Sequence, residues 1–364
     1  MNFFKKAGFV LAGGAAAFAA YYTYLSKQYY RIPDHQPLNS DHNPEGKLEP
    51  GVDYSAITFN VGFGAYNHDF DFFMDSGTML NGKKVHGHRG TAISKHAVLT
   101  STNGVINTLK DENPDFMLLQ EIDTNSTRSF HVNQVELVSH AFPKYAHLYA
   151  SDFHTAYLAV PITNPHGIAR SGLLTLSKYH INKAERRQYP VSNGPIEKFV
   201  DLDRCFEMMR LPVTNGKELI LINSHMSAYD KNGDSRAKQI HLLAELMKNE
   251  TAAGNYVIIG GDFNQVFGAD MIGYFHHQEE IPGWVSVLND PERLPENSHV
   301  VMAKNRLEVP TCRAAEMPYD PEINYMTICD GFIISNNVEA EAINLDTDFA
   351  YADHNPVRLN FKLK

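Results

Sequence analysis

Six short runs of β-forming residues in this chain end on, carry or directly follow a carboxylate, amide or imidazole, and this restricts the fold more than any other feature. Asp53 to Asn60 alternates and ends on Asn60, and Asp115 to Gln120 is apolar and precedes Glu121. Glu218 to Asn223 leads into Ser224-His225, and Tyr256 to Gly260 into Gly261-Asp262-Phe263-Asn264. Ile328 to Ser335 carries Asp330, and Val357 to Leu363 starts just after Asp353-His354. Short runs of this composition, bounded by polar residues and glycine, predict strands. Between them, Val98, Val105, Ile106 and Leu109 share one side of a helix predicted over 93–110 and stopped by Asn113-Pro114; Ala237, Ile240, Leu243, Leu246 and Met247 recur at the same spacing. Strands interleaved with helices predict an α/β arrangement.

The polar positions carry a chemistry. Asn60, Glu121, Asp262, Asn264 and Asp353 are oxygen donors of the type a hard divalent cation takes, since Mg²⁺ binds carboxylates, carbonyls and water rather than thiolates. His225 and His354 add groups that move protons near neutral pH or donate to developing negative charge. Phosphoester hydrolysis needs an activated water, neutralised phosphoryl charge and a protonated leaving group, and this set supplies all three. Each residue alone has a plainer reading: Asp262 and Asn264 as turn residues after two glycines, Asn60 as a strand-ending turn residue, Asp330 as a solvated strand edge. His86, His88, His276 and His277 read as exposed loop residues, because no third ligand lies at zinc-binding spacing.

Outside this set, the N-terminus stands apart. Lys5 and Lys6 precede twenty residues without a charge, Ala7 to Ser26, and Lys27 follows. As a helix this run reaches about 30 Å, roughly the hydrocarbon thickness of a bilayer. Residues 1–30 are expected to form a membrane anchor that leaves the bulk of the chain outside the cytoplasm. The alternatives are a cleaved secretory signal, suggested by Ala17-Phe18-Ala19, and a cytosolic amphipathic tail. Residues 31–50, with Pro33, Pro37, Pro44 and Pro50, are expected to be a linker, and 51–364 one catalytic domain. Residues 1–30 hold three Lys and no acid, so the rest carries 29 basic against 42 acidic side chains, a net charge of −13. Cys205, Cys312 and Cys329 lack CxxC spacing, which excludes a disulfide scaffold and a cysteine-ligated zinc site.

Taken in order, Thr58-Phe59-Asn60-Val61, Leu118-Leu119-Gln120-Glu121, Asn223-Ser224-His225-Met226, Gly260-Gly261-Asp262-Phe263-Asn264 and Ala352-Asp353-His354-Asn355-Pro356 resemble the endonuclease/exonuclease/phosphatase superfamily over residues 53–360. That superfamily includes deoxyribonucleases, AP endonucleases, sphingomyelinases and inositol polyphosphate 5-phosphatases. The resemblance implies a four-layer α/β/β/α sandwich of two mixed, mainly antiparallel sheets flanked by helices, with Mg²⁺, or Mn²⁺ in its place, along one edge. It implies that Glu121 is the main metal ligand, Asn60 a helper that also contacts phosphate, and Asp353 a second metal position. Asp262 then orients or deprotonates the attacking water, and Asn264 holds that water or a phosphoryl oxygen. His354 is the essential imidazole with Asp330 as its carboxylate partner, and His225 stabilises the transition state. A His at position 225 is unlike the AP endonuclease branch.

Arg128 and Arg170 are candidate phosphate forks, with a solvated or ion-paired arginine as the plain alternative for each. Residues 69–75 are either a substrate-facing loop or a packed one. A net charge of −13 without a basic run argues against a surface that tracks nucleic-acid phosphates. The single Trp284 leaves no paired-tryptophan hairpin. The expectation is therefore a monomeric Mg²⁺-dependent phosphodiesterase or phosphatase, tethered at the cell membrane or secreted, with phospholipid or a small phosphoester ahead of nucleic acid as substrate. The alternatives are a secreted or surface endonuclease of the same fold and an inactive phosphate-binding module.

Overall fold

Strand ends from distant parts of a chain meet only if the sheets that hold them are in fixed register. The computed structural model describes residues 3–40, 42–191, 194, 199, 203–228, 233–288 and 294–364. In chain order, helix α1 (Phe3–Gln28) precedes strands β1 (Gln36–Leu38) and β2 (Asp53–Asn60) and the short pair β3 (Ser76–Thr78) and β4 (Lys84–His86). Helix α2 (Lys95–Glu112), β5 (Phe116–Asp123) and helix α3 (Gln134–Ala141) follow, then β6 (Ala146–His154), β7 (Arg170–Ser177), β8 (Lys183–Gln188), β9 (Cys205–Pro212) and β10 (Glu218–His225). Helix α4 (Asp234–Ala252) leads to β11 (Tyr256–Asp262), β12 (Ser298–Val301), β13 (Cys312–Arg313), β14 (Met326–Thr327), β15 (Asp330–Ser335), β16 (Val338–Asn344) and β17 (Val357–Leu363).

One sheet has seven strands in the order β1-β8-β9-β10-β11-β15-β12, the other six in the order β16-β17-β2-β5-β7-β6. Each contains one parallel pair, β10 with β11 and β2 with β5. A parallel pair needs a crossover, and α4 and α2 provide them. The alternation of β2 sorts its side chains: Ala56 joins the layer between the sheets, while Ile57 and Phe59 pack outward with Val105, Ile106 and Leu109 of α2 and Val138 of α3. On the other sheet, Ile240, Leu243 and Met247 of α4 cover Ile220, Ile222, Val257 and Ile259. The expected four-layer sandwich of mixed, mainly antiparallel sheets is what forms. The helix predicted over 93–110 is α2, capped by Ser94 Oγ accepting from Ala97 N at 3.1 Å and ended by Asn113 at φ +43°.

Register then places the chemistry. Across three neighbouring strands, His225 pairs with Asp262 and Asp262 with Asp330, so three functional side chains lie abreast. Between the sheets, just below this row, runs a buried polar column. Gln120 Nε2 donates to Asn223 Oδ1 (2.7 Å) and to Thr58 Oγ1 (3.1 Å), and Asn223 Nδ2 donates to Thr175 Oγ1 (3.1 Å) and Glu207 Oε2 (3.3 Å).

Two expectations are corrected. Residues 31–50 are not a free spacer: β1 is an edge strand on β8, Arg31 pairs with Asp203 at 2.7 Å, and the Leu48 side chain is fully buried. Pro37 is compatible with a strand there because an edge tolerates a missing N–H. The N-terminal run does form a helix, but no helix among the described residues is long and apolar enough to cross a membrane, so the expected single-pass span is not met. Three glycines and a run of alanines dilute its hydropathy. Its C-terminal end packs Tyr21, Leu25 and Tyr29 against Ala156, Leu158 and Phe199.

Burial pushes the pKa of Glu207 up to about 8 from an ordinary 4.5, so the folded protein holds a proton that the unfolded chain releases at lower pH. Stability present below the unfolded-state value is therefore lost as pH rises through the window up to the folded-state value, by several kcal/mol on the scale of about 1.4 kcal/mol per pH unit. Glu207→Gln removes this titration. Urea midpoints from about pH 5 to pH 9 should fall less steeply in the variant than in the wild type; parallel curves would refute the assignment.

Candidate functional site

β2 stops at Asn60, and its buried amide becomes the hub of the rim. Asn60 Nδ2 donates to Glu121 Oε1 (3.1 Å) and Asp262 Oδ2 (3.0 Å), while Oδ1 accepts from Gly62 N (3.0 Å). Gly62 has φ +49°, and a Cβ there would lie 2.7 Å from the Tyr66 ring and 2.9 Å from Asp353 Oδ1, so the turn needs glycine. Glu121 occupies a register break in β5 between Leu119 and Ile122 and takes φ +53°. A left-handed non-glycine residue costs on the order of 1–3 kcal/mol and is retained where it serves a site. Here the break leaves the carboxylate about one quarter exposed at the rim.

Asp262 ends β11. Its Oδ1 accepts from Asn264 N (2.8 Å) and its Oδ2 from Asn264 Nδ2 (3.2 Å), with Asn264 also left-handed at φ +50°. Two imidazoles approach this carboxylate from opposite partners. His354 Nε2 lies 3.8 Å from Asp262 Oδ2, and its Nδ1 meets Asp330 Oδ2 at 2.8 Å. His225 Nε2 lies 3.7 Å from Asp262 Oδ2 and 3.6 Å from Glu121 Oε1, and its Nδ1 meets Asp152 Oδ2 at 3.2 Å. The buried His225 Nε2 has no hydrogen-bond partner within the protein.

Charges at the rim are unevenly matched. Burial works against protonation of His354, yet Asp330, Asp262 and Asp353 together hold its pKa well above the ordinary histidine value. Burial raises the pKa of Asp330 despite His354. Desolvation, with Glu121 nearby, pushes that of Asp353 up to about 6 against the opposing effect of His354 and Arg313. Asp152 is the reverse: burial alone would raise it, but the His225 contact and the Arg204 and Arg186 charges bring it below the ordinary range. Glu121 and Asp262 share the Asn60 amide and Asp353 feels the charge of Glu121, so oxygen donors and negative charge are concentrated along this rim, an environment suited to a hard cation. A thiol also borders it, since ligand atoms of Asp262, Cys329 and His354 lie within 4.8 Å of one another.

Asn60, Glu121, His225, Asp262, Asn264, Asp330 and His354 thus lie together at the rim, with Asp353 beside Gly62. The two arginines are placed differently. Arg128 is buried, forks onto Asp123 at 2.9 and 3.1 Å and stacks 3.8 Å over Phe63; Arg170 Nη1 donates to the carbonyls of Thr155 and Ala169, each at 2.7 Å. Both groups bind protein acceptors instead of standing free as phosphate forks. In the 69–75 segment, Phe70 and Phe72 pack with Phe63 and Tyr66, which matches the packed-loop reading. Asp152 was not foreseen. It lies inside β6, near a register break after Ser151, with nothing in its neighbours to set it apart from a solvated acid.

The Endonuclease/Exonuclease/phosphatase family profile matches residues 57–284. No curated protein matches the sequence. Among solved structures, an endonuclease/exonuclease/phosphatase from Beutenbergia cavernae is 12% identical, over 85% of this chain and 72% of that one, with a TM-score of 0.55. ANGEL2, a 2',3'-cyclic phosphatase, is 12% identical over 92% and 99%, with a TM-score of 0.54. TDP2 from D. rerio, solved in complex with a single strand DNA product, is 16% identical over 85% and 99%, with a TM-score of 0.51. At such identities the likeness is one of fold. The family match spans well over half of the sequence, including four of the strand ends that converge at the rim, those of Asn60, Glu121, His225 and Asp262, and the chain belongs to the endonuclease/exonuclease/phosphatase family.

Proposed function

We propose that this chain is a divalent-cation-dependent phosphoester hydrolase that works by in-line attack of water. One observation carries the reading. Two imidazoles, each tied at Nδ1 to a buried carboxylate, aim Nε2 at the same Asp262 carboxylate from 3.7 and 3.8 Å. In this reading the phosphoryl group and its attacking water bind beside Asp262, within reach of both Nε2 atoms.

Asp262, fixed by both hydrogen bonds from Asn264, orients the water and accepts its proton. His354, kept cationic by Asp330, donates from Nε2 to a phosphoryl or leaving oxygen. His225, held through Asp152, presents Nε2 to the opposite side of the phosphorus, where charge builds in the transition state. Glu121, Asn60 and Asp353 are the oxygen donors that would hold Mg²⁺, or Mn²⁺ as a substitute. When bound, such an ion neutralises phosphoryl charge and makes water easier to deprotonate. The acidic composition supports a phospholipid or small phosphoester over a polyanionic nucleic acid.

Hydrolysis of bis-p-nitrophenyl phosphate in Mg²⁺ should stop on addition of chelator, return with excess cation, and drop by a factor on the order of 10² to 10⁴ in His354→Ala and Asp262→Asn. Normal turnover in either variant removes that residue from the mechanism. The same assay in parallel with DNA, RNA, sphingomyelin, phosphatidylinositol and inositol phosphates ranks the substrates.

Asp152 positions His225 without touching substrate. Asp152→Asn should lower kcat on the order of 10²-fold with little change in KM, because the amide favours the wrong tautomer. Asp152→Glu should recover part of the loss. A variant that changes only KM, or only stability, would show that Asp152 has a purely structural role.

A further inference from the structure

Among the described residues, six of the fifteen large apolar side chains left in water lie on two neighbouring segments, the others being spread over the rest of the surface. Phe18, at 64% exposure, Tyr22 and Tyr24 lie on α1, and Tyr157, Val160 and Ile162, at 88%, lie on the loop between β6 and β7. The two groups form one surface. Tyr21 Oη donates to the Tyr157 carbonyl (3.0 Å) and accepts from Ala159 N (3.1 Å), and Tyr24 Oη accepts from Tyr157 N (3.1 Å). Phe18 packs on Tyr22 and Tyr21 on Tyr24, with ring centroids 6.5 and 6.2 Å apart. Residues 12–20 of α1 are exposed all round and carry no charge. A helix without a polar face is poorly solvated by water and calls for an apolar cover.

We infer that α1 and the β6–β7 loop together form a docking surface for the headgroup region of an anionic phospholipid bilayer, and that this surface brings a lipid phosphate to the catalytic rim. The charge pattern selects that occupant. Residues 1–30 carry three Lys and no acid, whereas the rest of the chain has a net charge of −13, so this segment carries the charge that anionic lipid attracts while the chain beyond it is acidic in sum. Tyr and Phe suit the headgroup depth, and a helix too weakly apolar to span can lie in that layer. The surface also stands beside the site. The loop leaves β6 a few residues beyond Asp152, so Tyr157 lies within about 17 Å of it along the chain at ~3.3 Å per residue. Tyr30 stacks on His154 at 4.0 Å, and His154 and Arg31 both pair with Asp203, which pins the end of α1 to the same strand end. The delivery of a lipid phosphate rests on the hydrolase reading; the docking does not.

The test is sedimentation of the full chain with vesicles of phosphatidylcholine containing about one quarter phosphatidylglycerol, and with phosphatidylcholine alone. The wild type should partition onto the mixed vesicles and less onto the neutral ones. A Val160→Asp, Ile162→Asp double variant should partition at least about tenfold more weakly, or about 1.4 kcal/mol, with circular dichroism and hydrolysis of bis-p-nitrophenyl phosphate unchanged. Equal partition of variant and wild type, or none by the wild type, overturns the inference. So does a wild-type dimer in solution that the variant converts to monomer, since a second copy is then the cover. Vesicle binding without turnover of the soluble ester would leave the docking standing and sink the hydrolase reading instead.

Discussion

The amide of Asn60 joins the two sheets at their catalytic ends, and the rest of the site depends on that join. It donates to Glu121 on its own sheet and to Asp262 on the facing one. Below it, Gln120 and Asn223 repeat the join with a 2.7 Å hydrogen bond across the same interface. An apolar sandwich tolerates sliding, because apolar contacts have no direction. A buried amide without its partner costs on the order of 1–3 kcal/mol, so each cross-sheet hydrogen bond selects one register. A slip of one residue would turn Asn60 and Glu121 to the wrong faces together.

With register set, strain and charge can be held locally. Glu121 and Asn264 adopt left-handed backbone, and each does so beside Asp262 or its partner Asn60. Carboxylates are then held out of water and near one another: burial first, and Glu121 beside it, raise the pKa of Asp353 to about 6. The two His–Asp pairs arise from different sheets: Asp330 neighbours Asp262 in the seven-stranded sheet, while Asp152 reaches His225 from the six-stranded one. Tautomer and direction of each imidazole are thereby tied to the packing of the whole sandwich.

The strands and their polar ends were legible because β periodicity and ligand-type residues coincide in one short stretch, as at Asn60 and Asp262. The layer order came from resemblance, since periodicity alone stops at an α/β arrangement. Residues whose role depends on a neighbour across the fold were not legible. Asp152 is one acid among 42 acidic residues until β6 folds beside His225. Arg128 follows Glu121 closely in sequence, which suggested a phosphate contact, but Asp123 sits nearer and takes both of its hydrogen bonds. The proline-rich stretch at 31–50 looked like a spacer because an edge strand of three residues leaves almost no periodic trace.

The arginine placements bear on substrate as much as on packing. Arg128 is held by both hydrogen bonds to Asp123, Arg313 is buried beside Asp353, and Arg170 donates from Nη1 to two backbone carbonyls, so these guanidiniums are engaged by the protein rather than standing free for a second or third phosphate. A polyanion approaching a chain whose residues 31–364 carry −13 meets repulsion that grows with each added phosphate, whereas cations are drawn to the same field. A single phosphoester needs neutralisation at one point only, which under the proposed mechanism a cation held by the rim carboxylates would provide. The same arithmetic favours substrates whose remaining bulk is apolar or uncharged, because such bulk escapes the repulsion altogether. In that respect the acidic body and the proposed lipid docking of the N-terminal segment would act in the same direction, one disfavouring polyanions and the other favouring a lipid substrate.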